Sequence, residues 1–167
     1  AYDLLVQSEA GLLSITGTPD APAKAGISVA DIAAGMYAYS AILTALLRRS
    51  TTGDGAAIDV SMLDALGEWM GHPFYATAYG GAPLPRSGAR HATIAPYGPF
   101  ASRDGRMIYL GIQNEREWRR FCRDVLAQPA LADDTRFADN PARVAHRDAL
   151  ETAIGKVFAH LTTPEIV

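Results

Sequence analysis

Ser28-Val29-Ala30-Asp31-Ile32-Ala33-Ala34-Gly35 opens the longest helical run of this chain, which continues to Arg48-Arg49. Alanine, the strongest helix former, fills it. The two arginines stand where the negative end of a helix dipole favours cations. The pattern predicts one long helix over 28–49, with Ser28 or Asp31 at its cap. A carboxylate there meets unpaired backbone N–H groups and the positive end of the dipole. Two readings of Asp31 are open. It is a cap, or it is an acid that small neighbours and Gly35 leave accessible, as an aspartate nucleophile must be.

Outward from that helix, Tyr2 to Ser14 reads as an apolar helical segment, and Gly17 to Gly26 as a loop punctuated by Pro19 and Pro22. Beyond the helix, Thr51-Thr52-Gly53-Asp54-Gly55 is a turn, and Ala57-Ile58-Asp59-Val60-Ser61 alternates like a strand. Asp59 and Asp64 flank the next junction, where capping accounts for them. A second long helix runs from Met62 to Tyr79, broken near Gly71 to Pro73. From Gly80 to Pro96 the chain turns rich in glycine, proline and alanine and carries Arg86, Arg90 and His91. This is a domain boundary or an active-site loop, dividing the chain into 1–79 and 80–167. The three basic side chains are candidates for binding an anion, or are simply solvated. Tyr97–Ala101 and Met107–Ile112 then read as a hairpin turning at Asp104-Gly105. Helices follow from Asn114 through Leu126 and over Pro141 to His160.

With 49% apolar and 20% charged residues, the 167-residue chain has the mixture of an ordinary globular protein. Its net charge of −3 is spread among interspersed signs, which suggests neither nucleic acid nor an anionic membrane surface as partner. Cys122 is the single cysteine, has no internal disulfide partner, and reads as a buried structural thiol. No apolar run reaches the roughly 18 residues of a membrane span, and no leader pattern is visible. A cytoplasmic protein without a membrane partner is therefore the expectation. No P-loop, Gly-x-Gly-x-x-Gly, nucleophile elbow or Cys/His metal spacing is present, so neither a metal nor a permanently bound cofactor is expected. His146 and His160 read as surface or helix-end residues. At the two ends, Ala1-Tyr2-Asp3 enters an apolar stretch directly, and Thr162-Thr163-Pro164-Glu165 starts a helix just before Val167. The chain reads as an internal piece of a longer protein.

Several strings in order resemble the CaiB/BaiF family, the family III CoA-transferases. They are Tyr2-Asp3-Leu4-Leu5-Val6-Gln7 with Gly11 to Gly17, then Gly26 to Gly35, then Thr52-Gly53-Asp54-Gly55 with Ile58-Asp59-Val60-Ser61-Met62. Pro96-Tyr97-Gly98-Pro99-Phe100, Asn114-Glu115-Arg116-Glu117-Trp118 and Phe137-Ala138-Asp139-Asn140 continue the series. The resemblance implies an α/β fold: the end of a Rossmann-like large domain plus most of a smaller α+β domain, in an interlinked homodimer. It implies CoA transfer between carboxylic acids through an aspartyl-CoA thioester, with Asp31 as the nucleophile and coenzyme A and acyl-CoA as substrates.

The same resemblance places Tyr2 and Asp3 at the substrate site and brings the loop Gly88 to Thr93, with Arg90 and His91, toward it. That loop lacks the glycine run of formyl-CoA transferases, which argues against formate or oxalate. Ala56 departs from the glutamine of many relatives. The positive charge of the loop points to a short dicarboxylate, with succinyl-CoA or a close relative as donor. Two other readings compete. An α-methylacyl-CoA racemase would pair an aspartate with a histidine, and Tyr2 stands at the histidine's place. A non-catalytic CoA-binding protein would have no use for Asp31.

Overall fold

Contacts along the chain divide it, in a computed structural model that describes residues 1–167, into two units, Ala1–Gly88 and Ala89–Val167. The first is helical: α1 (Asp3–Glu9), α2 (Leu12–Ile15), α3 (Val29–Thr52), α4 (Met62–Trp69) and α5 (Gly71–Gly80). α3 runs past Arg49 to Thr52, and the hydroxyls of Ser50, Thr51 and Thr52 donate back to the carbonyls of Leu47 and Arg48. These hydroxyls thereby satisfy themselves within the helix, sharing carbonyls of the preceding turn. The helix stops at Gly53, which takes the left-handed conformation (φ 80°) and returns its N–H to the Arg49 carbonyl.

Ala30 and Ala33 are fully buried, and Ala30 clusters with Val6 of α1 and Leu66 of α4. The expectation that nothing in the chain is long and apolar enough to cross a bilayer is corrected. α3 has 24 residues and an 18-residue stretch of mean hydropathy 1.4. Its interspersed Gly35 and hydroxyl residues hide this from a search for an unbroken apolar run. Core helices of soluble proteins share that composition, so no membrane follows from it.

Ala57–Ser61, expected as a strand, is unpaired chain leading into α4. Alternation marks which faces differ, but a strand exists only where a partner takes its ladder hydrogen bonds. In this unit the β pairing is limited to one isolated bridge, Gly17 to Pro22. The α/β expectation therefore reduces to helices with one small antiparallel sheet. The parallel sheet of a Rossmann-like domain is not among residues 1–167. The unit also extends beyond Tyr79. The Arg86 guanidinium donates to the Thr18 and Pro19 carbonyls at 2.9 Å each, and the Gly88 N–H donates to Gly17 at 2.8 Å. Gly17 permits the tight turn, bridged to Pro22, on which that segment rests. Its φ is +113°, and a Cβ there would lie 2.3 Å from the Ala21 carbonyl oxygen.

The second unit begins with the expected hairpin, β1 (Tyr97–Ala101) and β2 (Met107–Gly111), in antiparallel register from Tyr97 opposite Gly111 to Ala101 opposite Met107. α6 (Glu115–Asp124) is capped by Asn114, whose side chain accepts the Glu117 N–H. A 3-10 turn over Pro129–Ala132 and helices α7 (Asn140–Ala145), α8 (Arg147–Phe158) and α9 (Thr163–Ile166) complete the unit. The single helix expected over 141–160 is two, because the backbone leaves helical geometry at His146 (φ −112°, ψ 31°), whose ring lies against the Ala142 carbonyl. One core gathers Phe100, Ile112, Trp118, Phe121, Phe137, Leu150, Ile154 and Phe158. Phe158 meets Phe100 and Phe121 edge to face, a favoured aromatic geometry. Cys122 is buried here, and burial pushes its thiol up to about 11. It is a structural thiol, as its sequence setting indicates.

Candidate active site

In the first unit the site is built from α1 upward. Asp3 and Gln7 are one turn apart and so share a face. The Gln7 amide nitrogen donates to Asp3 Oδ2 at 2.8 Å, and its amide oxygen accepts the Ala25 N–H at 2.8 Å. Gln7 is fully buried. The other oxygen of Asp3, Oδ1, accepts the Ala30 N–H at 3.0 Å. The side chain of Ser28, at the cap position of α3, makes no capping bond. The cap of α3 therefore comes from another helix.

Asp31 follows Ala30 directly and lies exposed in the first turn of α3, within reach of the positive end of the dipole. One turn further, Gly35 is exposed, and a Cβ there would meet nothing within 4 Å. Tyr2, just before α1, is 78% exposed. Asp31 is thus accessible, is held from behind, and has open space beside it. A cleft of about 360 Å³ in the same unit, lined by Gly11, Met70, Phe74 and Leu84 among others, includes none of Tyr2, Asp3 and Asp31. Its walls hold no titratable group and offer no chemistry of their own.

Arg90 and His91 belong to the second unit, in a loop that α7 and α8 hold down. Arg90 Nε donates to both oxygens of Glu151, at 2.8 and 2.9 Å, and that carboxylate raises the Arg90 pKa further. The His91 ring packs against Tyr97 with centroids 5.2 Å apart, and its Nδ1 accepts the Thr93 N–H. Arg147 donates to the carbonyls of His91, Ala92 and Ile94. Asn140 donates to the Thr93 carbonyl and accepts the Ala95 N–H. Gly98 lets the loop lie against β1: a Cβ there would be 2.8 Å from Arg90 Cγ.

Of the residues expected from sequence, the structure brings Asp3 to the residue beside Asp31. Tyr2 stands next to Asp3 in sequence. Gln7, Asn140 and Arg147 were not foreseen. For Gln7 a signal existed, a polar residue in an apolar segment at helical spacing from an acid. For Asn140 and Arg147 none did, since their partners are carbonyls some 47 to 56 residues away.

The profile of CoA-transferase family III matches residues 1–167. The chain is 42% identical over 147 residues to succinate–glutarate CoA-transferase of Agrobacterium fabrum, covering 87% of this chain and 36% of that protein. To acetyl-CoA:oxalate CoA-transferase of Acetobacter aceti it is 35% identical over 161 residues, covering 95% of this chain and 41% of that protein. The crystal structure of a CaiB/BaiF family protein from Brucella suis matches with a TM-score of 0.78 at 32% identity, over 99% of this chain and 43% of that one. The chain thus spans 36% to 43% of the length of these proteins.

Proposed function

This chain belongs to CoA-transferase family III, and from that premise we propose that it moves coenzyme A between carboxylic acids with Asp31 as the nucleophile. One observation carries the reading: an exposed carboxylate in the first turn of a 24-residue helix, with open space at Gly35 one turn on. In this reading an Asp31 oxygen attacks the thioester carbonyl of the donor acyl-CoA, forming a mixed anhydride and expelling CoA thiolate. The thiolate attacks the aspartyl carbonyl, releases the donor acid and leaves Asp31 as a thioester. The acceptor carboxylate attacks that thioester and expels the thiolate again. The thiolate then takes the acceptor's acyl group and frees Asp31. Each step exchanges one activated acyl bond for another. The N–H groups at the start of α3 favour the charge that develops there.

The substrates are short dicarboxylates, with succinyl-CoA or a close relative as donor. Support comes from the names of the relatives above, an oxalate transferase among them, so the missing glycine run does not exclude oxalate; Arg90 itself is already bound to both oxygens of Glu151. Tyr2, Arg90 and His91 are the substrate contacts in this reading. The working form is the homodimer that the family resemblance implies, and the Rossmann-like large domain belongs to the same expectation.

The test combines trapping with an acceptor chase. Enzyme incubated with succinyl-CoA and quenched with hydroxylamine is expected to carry a hydroxamate at Asp31. Asp31→Asn is expected to lose it and to lower kcat on the order of 10⁴-fold or more. Chasing the unquenched thioester enzyme with C2 to C6 acids is expected to favour dicarboxylates. A label at another residue, or an active Asp31→Ala, removes the mechanism. Exchange of the substrate α-proton without CoA transfer would favour the racemase reading, and neither activity the non-catalytic one.

A further inference from the structure

We infer that Asp3 and Gln7 are positioning residues that set the place of Asp31 from outside its helix; this rests on the reading of Asp31 as the nucleophile. Ala30 is buried, so its N–H, one of the donors a helix leaves unpaired at its start, has no water to turn to. Ser28 does not take it, and Asp3 Oδ1 does. Ala30 immediately precedes Asp31, so whatever fixes the Ala30 amide fixes the Cα from which the nucleophile projects.

Asp3 is itself fixed. Its second oxygen takes the Gln7 amide nitrogen, leaving the Gln7 oxygen for the Ala25 N–H on the loop that leads into α3. The chain of donors runs one way only. A carboxylate accepts and a backbone N–H donates, so the buried Gln7 amide has a single orientation that satisfies both ends. Both oxygens of Asp3 are engaged, one by the Ala30 backbone N–H and the other by the Gln7 side-chain amide, which assigns it to support rather than to substrate. Gln7, fully buried, acts by keeping the Asp3 carboxylate turned toward Ala30.

The polarity of the chain gives a test in which two lesions cancel. Asp3→Asn still offers an oxygen to Ala30, but turns an N–H toward the Gln7 nitrogen. Gln7→Glu still offers an oxygen to Ala25, but turns a second carboxylate toward Asp3. Together, D3N/Q7E restores every donor–acceptor match: the residue 3 amide nitrogen donates to the residue 7 carboxylate, which also accepts from Ala25. Total charge is unchanged. Three readouts are taken on the purified enzyme: kcat and KM for succinyl-CoA, hydroxylamine labelling of Asp31, and amide exchange over residues 25–36.

Each single variant is expected to lower kcat by about 10²-fold, the scale of a misplaced reacting group. KM should change little, and residues 25–36 should exchange faster. D3N/Q7E is expected to recover protection, Asp31 labelling and kcat to within about tenfold of wild type. Single variants with wild-type kcat overturn the inference. So does a double variant that leaves exchange fast, because the hydrogen-bond chain is then not what holds α3. A double variant that regains protection while kcat stays low and KM rises assigns Asp3 to the substrate instead. Wild-type enzyme labelled elsewhere than Asp31 removes the nucleophile reading itself, an outcome separate from all of these.

Discussion

Among single residues, Arg143 shows how one buried charge organises the second unit. Its side chain is fully buried and spends its donors on the Ala95 carbonyl, the Phe137 carbonyl and both oxygens of Glu115. Its guanidinium also lies over the Trp118 ring, 5.2 Å from the centroid. Arg143→Met keeps the stem but leaves two buried carbonyls unpaired, a loss of about 3 kcal/mol in urea unfolding. Glu115 is 49% exposed, so water replaces much of what it gives, and Glu115→Gln is expected to cost about 1 kcal/mol or less. Equal losses in the two variants would mean that the ion pair, not the carbonyls, is what Arg143 supplies.

Elements meet through their caps and turns. The hairpin turn between β1 and β2 is tied to α9 because Asp104 accepts from the Ser102 hydroxyl and from the Thr163 hydroxyl and N–H. α9 begins with a capping box between Thr162 and Glu165. These bonds lower the pKa of Asp104, through Ser102 first, and of Glu165, through the Thr162 N–H first. Asp134, beside Arg136, is lowered from 3.8 to about 2. A carboxyl whose pKa is lower folded than unfolded adds stability above its unfolded pKa and loses it as pH falls toward the folded one. The second unit is therefore expected to lose stability from about pH 4 down to about pH 2. In melting temperature against pH, D104N/E165Q should start lower at neutral pH and fall less steeply in acid. An acid slope identical to wild type would exclude these two groups as its source.

At the scale of the whole molecule, the two units differ in how they hold together. The second has a contiguous core of a dozen buried apolar residues, rich in aromatics. The first buries Val6, Ala30 and Leu66 as its cluster, while Ile32, Met36, Tyr39, Leu43 and Leu47 of α3 remain exposed. Burial at roughly 25 cal/mol per Å² makes the second unit the more stable. Hydrogen exchange of the 167-residue chain is expected to show the slowest amides around Trp118, Phe121, Leu150 and Ile154 and faster exchange throughout α3. Slower exchange in α3 than in α6 and α8 would contradict this.

What the sequence determined by itself is local or carried by order. The helix from residue 28, the hairpin with its Asp-Gly turn, the Asn114 cap and the start of α9 follow from propensities and side chains that act within a few residues. The collinear strings sufficed for the family. Tertiary structure decided what depends on partners distant in the chain. Residues 57–61 alternate but have no neighbouring strand to pair with. Arg86 turns back to Thr18 and Pro19 and carries the first unit on to Gly88. The start of α3 is capped not by its own Ser28 but by Asp3, 27 residues upstream, with Gln7 behind it. Propensity acts through a residue's own backbone and is legible in the letters. A hydrogen bond across 27 residues exists only once folding has brought donor and acceptor together.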